Sequence, residues 1–206
     1  MIPQTDVIRT DVIRIHQVIS GFTQTEERPT GMFCLAETLH SLGFNNTISR
    51  VRLDRWNADW PAVAEHLWLL GRQHQAQVMV NVYAYSWGVG WGAVQLSREL
   101  QKRDIDVQEL VAADGVYRHR WLRLPAMISR DSLFAPAIRI PCNVHTVTPF
   151  HQTMNRPQGH YLKGDRDFSG VIHESREISA THQYIDDHPT FHLAAIHAAR
   201  RLQEMR

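Results

Sequence analysis

Val78-Met79-Val80-Asn81-Val82-Tyr83-Ala84-Tyr85-Ser86-Trp87-Gly88-Val89-Gly90-Trp91-Gly92-Ala93-Val94 joins two patterns at one residue. A short apolar run with β-branched members ends at Ser86, and a glycine-punctuated helical pattern follows, with Ala93, Leu96, Ser97 and Leu100 at helical spacing. The expectation is strand, sharp turn, helix, with a serine at the apex. Its hydroxyl stands clear of the sheet, and the helix start offers unpaired backbone N–H groups to a developing negative charge. Nucleophilic attack on a carbonyl is the chemistry this suggests.

Outward from that turn, strands and helices alternate. Upstream, Val12, Ile13, Ile15, Val18 and Ile19 predict a buried strand over 12–19, which runs into Ser20-Gly21-Phe22-Thr23. A helix over 31–42 follows, stopped by Gly43; then a strand over 48–53, and a helix opened by Asp59 and Pro61 and closed at Gly71. Downstream, 107–113 predicts a strand ending in Asp114-Gly115, and 144–150 another. A weak last strand is carried by Val171, Ile172 and Ile178, and a terminal helix starts near Pro189. Such alternation implies a parallel sheet with right-handed crossovers. Asp114, directly after a buried strand, falls on the same carboxyl rim as Ser86, the rim where open α/β sheets assemble their sites.

Ala84-Tyr85-Ser86-Trp87-Gly88 resembles the G-x-S-x-G nucleophile elbow of the α/β-hydrolase family, with alanine at the first glycine position. The resemblance covers nearly the whole chain from Val12. It implies a three-layer α/β/α sandwich with a mostly parallel sheet of about six strands, a minimal version of the fold that begins at the family's third strand and is closest in size to small esterases and thioesterases.

It also implies roles. Ser86 is the nucleophile, Asp114 the acid and His182, in the loop after the last strand, the general base, in the family's chain order. The strand over 144–150 runs into His151-Gln152-Thr153-Met154-Asn155-Arg156-Pro157-Gln158, which has no carboxylate, so Asp114 is the favoured acid, with Asp186 and Asp187 as rivals. His188 competes with His182 but lies at a helix start, where the dipole disfavours a protonated ring. The backbone N–H groups of Phe22 and Trp87 are the expected oxyanion donors, although the family's His-Gly pair reads Ser20-Gly21 here. Tyr85, Trp91 and Trp121 are expected to wall an apolar acyl or aryl pocket, the last from a small cap inserted at 117–140.

Composition bounds the alternatives. The 206 residues, 43% of them hydrophobic, suit one domain with a substantial core. A net charge of +1 gives no general reason to expect nucleic acid as a partner, and the basic residues Arg118, His119, Arg120 and Arg123 among aromatics fit a solvated insertion. No secretory signal or apolar run of ~20 residues is visible, so a cytoplasmic protein without a membrane span is expected. Cys34 and Cys142 lack metal or disulfide spacing and read as reduced thiols. His188 and His192, with Asp187 or His182, compose a rival metal set, but no H-E-x-x-H motif is present among the 13 histidines. The reading is a serine hydrolase of esters or thioesters with no cofactor or metal and a small-molecule substrate. Its rival is a non-catalytic binding protein of the same fold.

Overall fold

A computed structural model describes residues 11–22, 24, 31–119, 128 and 132–205. Strand β1 (Val12–Ser20) is buried along nearly all its length, as a strand covered on both faces must be. It is followed by α1 (Met32–Leu39), β2 (Ser49–Arg55), α2 (Trp60–His74) and β3 (Gln77–Tyr85). A π-helical turn at Gly88–Ala93 leads into α3 (Val94–Gln101) and β4 (Val107–Ala113). Then come β5 (Ile138–Ile140), β6 (Val144–His151), β7 (Leu162–Gly164), β8 (Val171–Ile172), β9 (Arg176–Glu177) and α4 (Pro189–Glu204).

The main sheet has the order β2-β1-β3-β4-β6-β8, with β9 also on β6, and each of these pairings is parallel. Strand alternation sends Tyr83, Val111 and Val18 to one face, where they meet Met32, Leu35 and Leu39 of α1 and Phe191, Ala195 and Ala198 of α4. Val80, Val82 and Ala84 go to the other face, against Leu67 of α2 and Leu96 and Leu100 of α3. The result is the expected α/β/α layering, with β3 at its centre.

Three details depart from expectation. Helix α2 does not close at Gly71; it runs to His74 and turns at left-handed Gln75. A Cβ on Gly71 would lie 2.8 Å from Val78 Cγ2 and 3.0 Å from the Ala76 carbonyl oxygen, so this glycine serves close helix-to-strand packing and not a stop. Helix α1 gives way at His40 to a π turn, although Gly43 takes the expected left-handed end at φ 83°. Strands β5 and β7 form a separate two-stranded parallel sheet that the sequence pattern does not announce. Of the expected cap at 117–140, residues 120–127 and 129–131 lie outside the described residues.

Candidate active site

Ser86 sits at the end of β3 with φ 55°, a left-handed conformation that costs an L-residue of order 1–3 kcal/mol and persists only where the surroundings over-determine it. They do. The Ser86 N–H donates to the Ala113 carbonyl at 3.0 Å, and the Ser86 carbonyl accepts from Val116 N–H at 3.1 Å, both on the exit of β4. Val89 and Gly90 N–H groups reach the same carbonyl, each at 3.1 Å. The small flanking residues have distinct reasons. Ala84 is fully buried between Ile19 and Ala112 on the neighbouring strands. At Gly88 a Cβ would stand 2.7 Å from the Ile19 carbonyl oxygen and 3.0 Å from that of Ser20, so its absence lets the elbow press onto the end of β1. That approach carries the Gly21–Phe22 loop alongside the serine.

Ser86 Oγ lies 2.9 Å from His182 Nε2, and His182 Nδ1 lies 2.5 Å from Asp114 Oδ2. The carboxylate fixes the proton on Nδ1, which leaves Nε2 to accept the serine hydroxyl. Asp114 is completely buried and, like Ser86, left-handed, at φ 44°. Its Oδ1 accepts from Gly159 N–H at 2.7 Å and Gln152 N–H at 3.2 Å, and its Oδ2 accepts from Gln152 Nε2 at 3.0 Å as well as from the imidazole. Four donors therefore stand around one buried carboxyl, which is how a charge becomes tolerable out of water.

Asp186 and Asp187, the rival acids, are elsewhere. Asp186 accepts from Met32 N–H at 3.2 Å and from the Gln24 amide, and Asp187 from Gly31 N–H at 3.1 Å, so together they close the start of α1. His188 caps α4 by accepting from Thr190 N–H at 3.2 Å, and His192 Nε2 faces the Asp186 carbonyl at 2.8 Å. Neither ring is directed to Ser86.

The imidazole loop is held from two sides. Asn155 Oδ1 accepts from His182 N–H at 2.7 Å, and the Tyr85 hydroxyl donates to the His182 carbonyl at 2.6 Å. Tyr85, a pocket-wall residue on the sequence reading, is instead only 3% exposed and lies against the His182 ring as a support. Burial, and then the carboxylates of Asp186 and Asp114, raise its phenol further above the ordinary range, so it stays a neutral donor. Gln152 and Asn155 also went unread as site residues. Gln152 Oε1 accepts from Asn155 N–H at 3.0 Å while its Nε2 serves Asp114, so one side chain braces both Asp114 and the turn that holds His182.

Phe22 and Trp87 face each other with ring centroids 4.5 Å apart, and Trp56 stands edge-on to Trp87 at 5.1 Å. The Trp87 N–H belongs to the first turn after the elbow, where an amide has no intrahelical acceptor. The Arg118 guanidinium covers Trp56 at 4.4 Å, Trp91 at 4.9 Å and Trp87 at 5.4 Å. Trp91 thus belongs to an aromatic rim beside the serine that is covered by the Arg118 cation. Trp121 lies outside the described residues. A cavity of about 470 Å³ between α4 and the sheet, bordered by Glu109, Arg176 and Arg201, includes none of Ser86, Asp114 or His182. Among the described residues no helix is long and apolar enough to cross a membrane, and no group of three or more His, Cys, Asp or Glu side chains is arranged to hold a metal ion.

No protein-family model and no curated protein matches this sequence. Among solved structures, the chain is similar to the RedJ thioesterase from the prodiginine biosynthetic pathway in Streptomyces coelicolor, at 10% identity and a TM-score of 0.44, over 93% of this chain and 86% of that one. The parallel sheet order, the helices on both its faces and the serine turn at the end of its central strand make this an α/β-hydrolase-like fold.

Proposed function

We propose that the chain works as a single-domain serine hydrolase that cleaves a carboxylic ester or thioester through an acyl-enzyme. The observation that carries this reading is the continuous hydrogen-bonded line from Ser86 Oγ through His182 to Asp114, at 2.9 and 2.5 Å. In the forward step Ser86 Oγ bonds to the carbonyl carbon as its proton passes to His182 Nε2. Asp114 keeps the imidazole in the required tautomer and stabilises the imidazolium that forms. The carbonyl oxygen, now anionic, is received by the N–H groups of Trp87 and Phe22; single donors of this kind are worth ~10²–10³ in rate. The imidazolium then gives its proton to the departing alcohol or thiol. A water, deprotonated by the same imidazole, attacks the acyl-serine, and the carboxylic acid product leaves.

The aromatic rim of Phe22, Trp87 and Trp91 favours a substrate with an apolar acyl or aryl group. The reading is tested with a short-chain p-nitrophenyl ester and an S-acyl thioester of the same chain length. Turnover of either, with a rapid initial burst matching the enzyme concentration, is the expected result. Ser86→Ala and His182→Ala are each expected to lose roughly 10⁴–10⁶ of the rate. A well-folded wild-type protein inert to both substrates would support the non-catalytic binding alternative.

A further inference from the structure

Asp186 is buried beside the site, 1% exposed, and has no part in the steps above. Its carboxylate accepts from the Gln24 side-chain amide and from Met32 N–H. The other end of Gln24 also has a partner: its Oε1 accepts from Gly21 N–H at 3.0 Å. Gln24 itself is 6% exposed, so both of its bonds are made away from water, where leaving either group unpaired costs about 1–3 kcal/mol. One amide thereby spans two segments. At one end is the loop bearing Phe22; at the other is the short 3₁₀ turn Ile185–Asp187, three residues past His182 at its start.

We infer that Gln24 and Asp186 are a positioning pair, tying the oxyanion loop to the segment that carries the base so that one is held in register with the other. The inference rests on the serine-hydrolase reading. A Gly21 peptide pinned through its N–H cannot rotate freely, and the next amide in the chain is that of Phe22. Phe22 gains little fixing from burial, being 49% exposed, so its backbone relies on what holds Gly21 and on the stack with Trp87. At its far end the pair is anchored firmly: the Asp186 carbonyl faces His192 of α4, and the neighbouring Asp187 carboxylate accepts from Gly31 N–H.

The tie is also sensitive to charge. Burial above all, and then the adjacent Asp187 carboxylate, push the Asp186 carboxyl up to about 7, against the hydrogen bonds from Gln24 and the backbone. Among the described residues, Tyr85 of β3 and Cys34 of α1 also feel its charge, and His192 of α4 faces its backbone carbonyl. The ionised form accepts the Gln24 amide in a charge-assisted bond, roughly twice as strong as a neutral one. Protonation loosens the tie.

The test uses an alkyl fluorophosphonate, which needs no knowledge of the natural substrate. Ser86 Oγ forms the new P–O bond, fluoride leaves, the serine proton passes to His182, and the phosphonyl oxygen occupies the oxyanion position. Gln24→Met, which keeps the volume and loses both hydrogen bonds, is expected to lower the maximal phosphonylation rate about tenfold at an unchanged half-saturating concentration. Asp186→Asn keeps an acceptor but cannot ionise. The ratio of wild-type to Asp186→Asn rates is expected to be near one at about pH 5.5 and to rise to roughly 3- to 10-fold by about pH 8.5. In a Gln24→Met background the same substitution is expected to give a ratio independent of pH. A purely structural cap on α1 would shift thermal stability and leave these rate ratios flat. A wild type that labels, with flat ratios or an unaffected Gln24→Met variant, overturns the positioning pair alone. A folded wild type that does not label overturns it together with the hydrolase reading.

Discussion

Asp114 and Asp186 are both carboxylates withdrawn from water, at 0% and 1% exposure, yet their surroundings give them opposite tasks. Asp114 receives four donors, one of them an imidazole that becomes cationic when it takes a proton. Among the described residues Asp186 accepts from the Gln24 amide and from Met32 N–H, with its own backbone N–H also turned to it, beside a second carboxylate, and its ionisation is displaced upward by burial. The difference teaches that burial alone does not identify a catalytic acid. In the proposed mechanism the acid is set apart by a partner whose charge appears in the transition state.

Exchanging each carboxylate for its amide should separate the two tasks by orders of magnitude. In Asp114→Asn the new amide can donate to His182 Nδ1 and favour the wrong tautomer, so acylation of Ser86 is expected to fall by roughly 10⁴-fold. Asp186→Asn should fall by less than about tenfold, in the pH-dependent manner set out above. Stopped-flow acylation of the two variants side by side measures the gap; comparable losses would erase the distinction.

The second contrast is in stability against pH. Asp186 ionises near 3.8 when unfolded and about 7 when folded. Between these values the unfolded chain gives up its proton first, so stability falls as pH rises through that window, and the whole penalty is present above it. Asn at this position does not titrate. The stability of Asp186→Asn relative to wild type is therefore expected to improve from about pH 4 to about pH 8, by about 4 kcal/mol at most. Denaturant titrations at the two pH values read this directly, and an unchanged difference would show that the carboxyl is not held out of water.

The smallest effect concerns the brace on Asp114. Gln152→Ala removes one donor to Asp114 together with the side-chain bonds to the Asn155 and Pro157 backbone, and is expected to cost about 1–3 kcal/mol of stability and about tenfold in acylation rate. A variant as stable and as fast as wild type would reduce Gln152 to a bystander.

The elbow and the alternation of elements were legible because each is written locally: an apolar run, a small residue, turn signals between periodic stretches. The grouping of Ser86, Asp114 and His182 was carried instead by the resemblance, whose chain order they follow. Gln152 was not legible. In the sequence it marks only a loop without a carboxylate, and its approach to Asp114 exists because parallel pairing sets Ala113 opposite Phe150 and brings the two strand exits together. Asn155 became a partner of the base through the same convergence. Tyr85 misled for a related reason. Adjacency to the nucleophile suggested the pocket, whereas strand alternation turns its ring toward α1 and α4, beneath the imidazole. Gly71 shows the limit of punctuation: a glycine required by a neighbouring strand is indistinguishable, in one dimension, from one that ends a helix.

The convergence of Ser86, His182 and Asp114 is tested most directly by peptide mapping after exposure to an alkyl fluorophosphonate. The account predicts a single adduct, on Ser86, absent in His182→Ala and slowed by roughly 10⁴-fold in Asp114→Asn. A folded protein that forms its adduct on another residue, or that labels Ser86 equally well without His182, would contradict it.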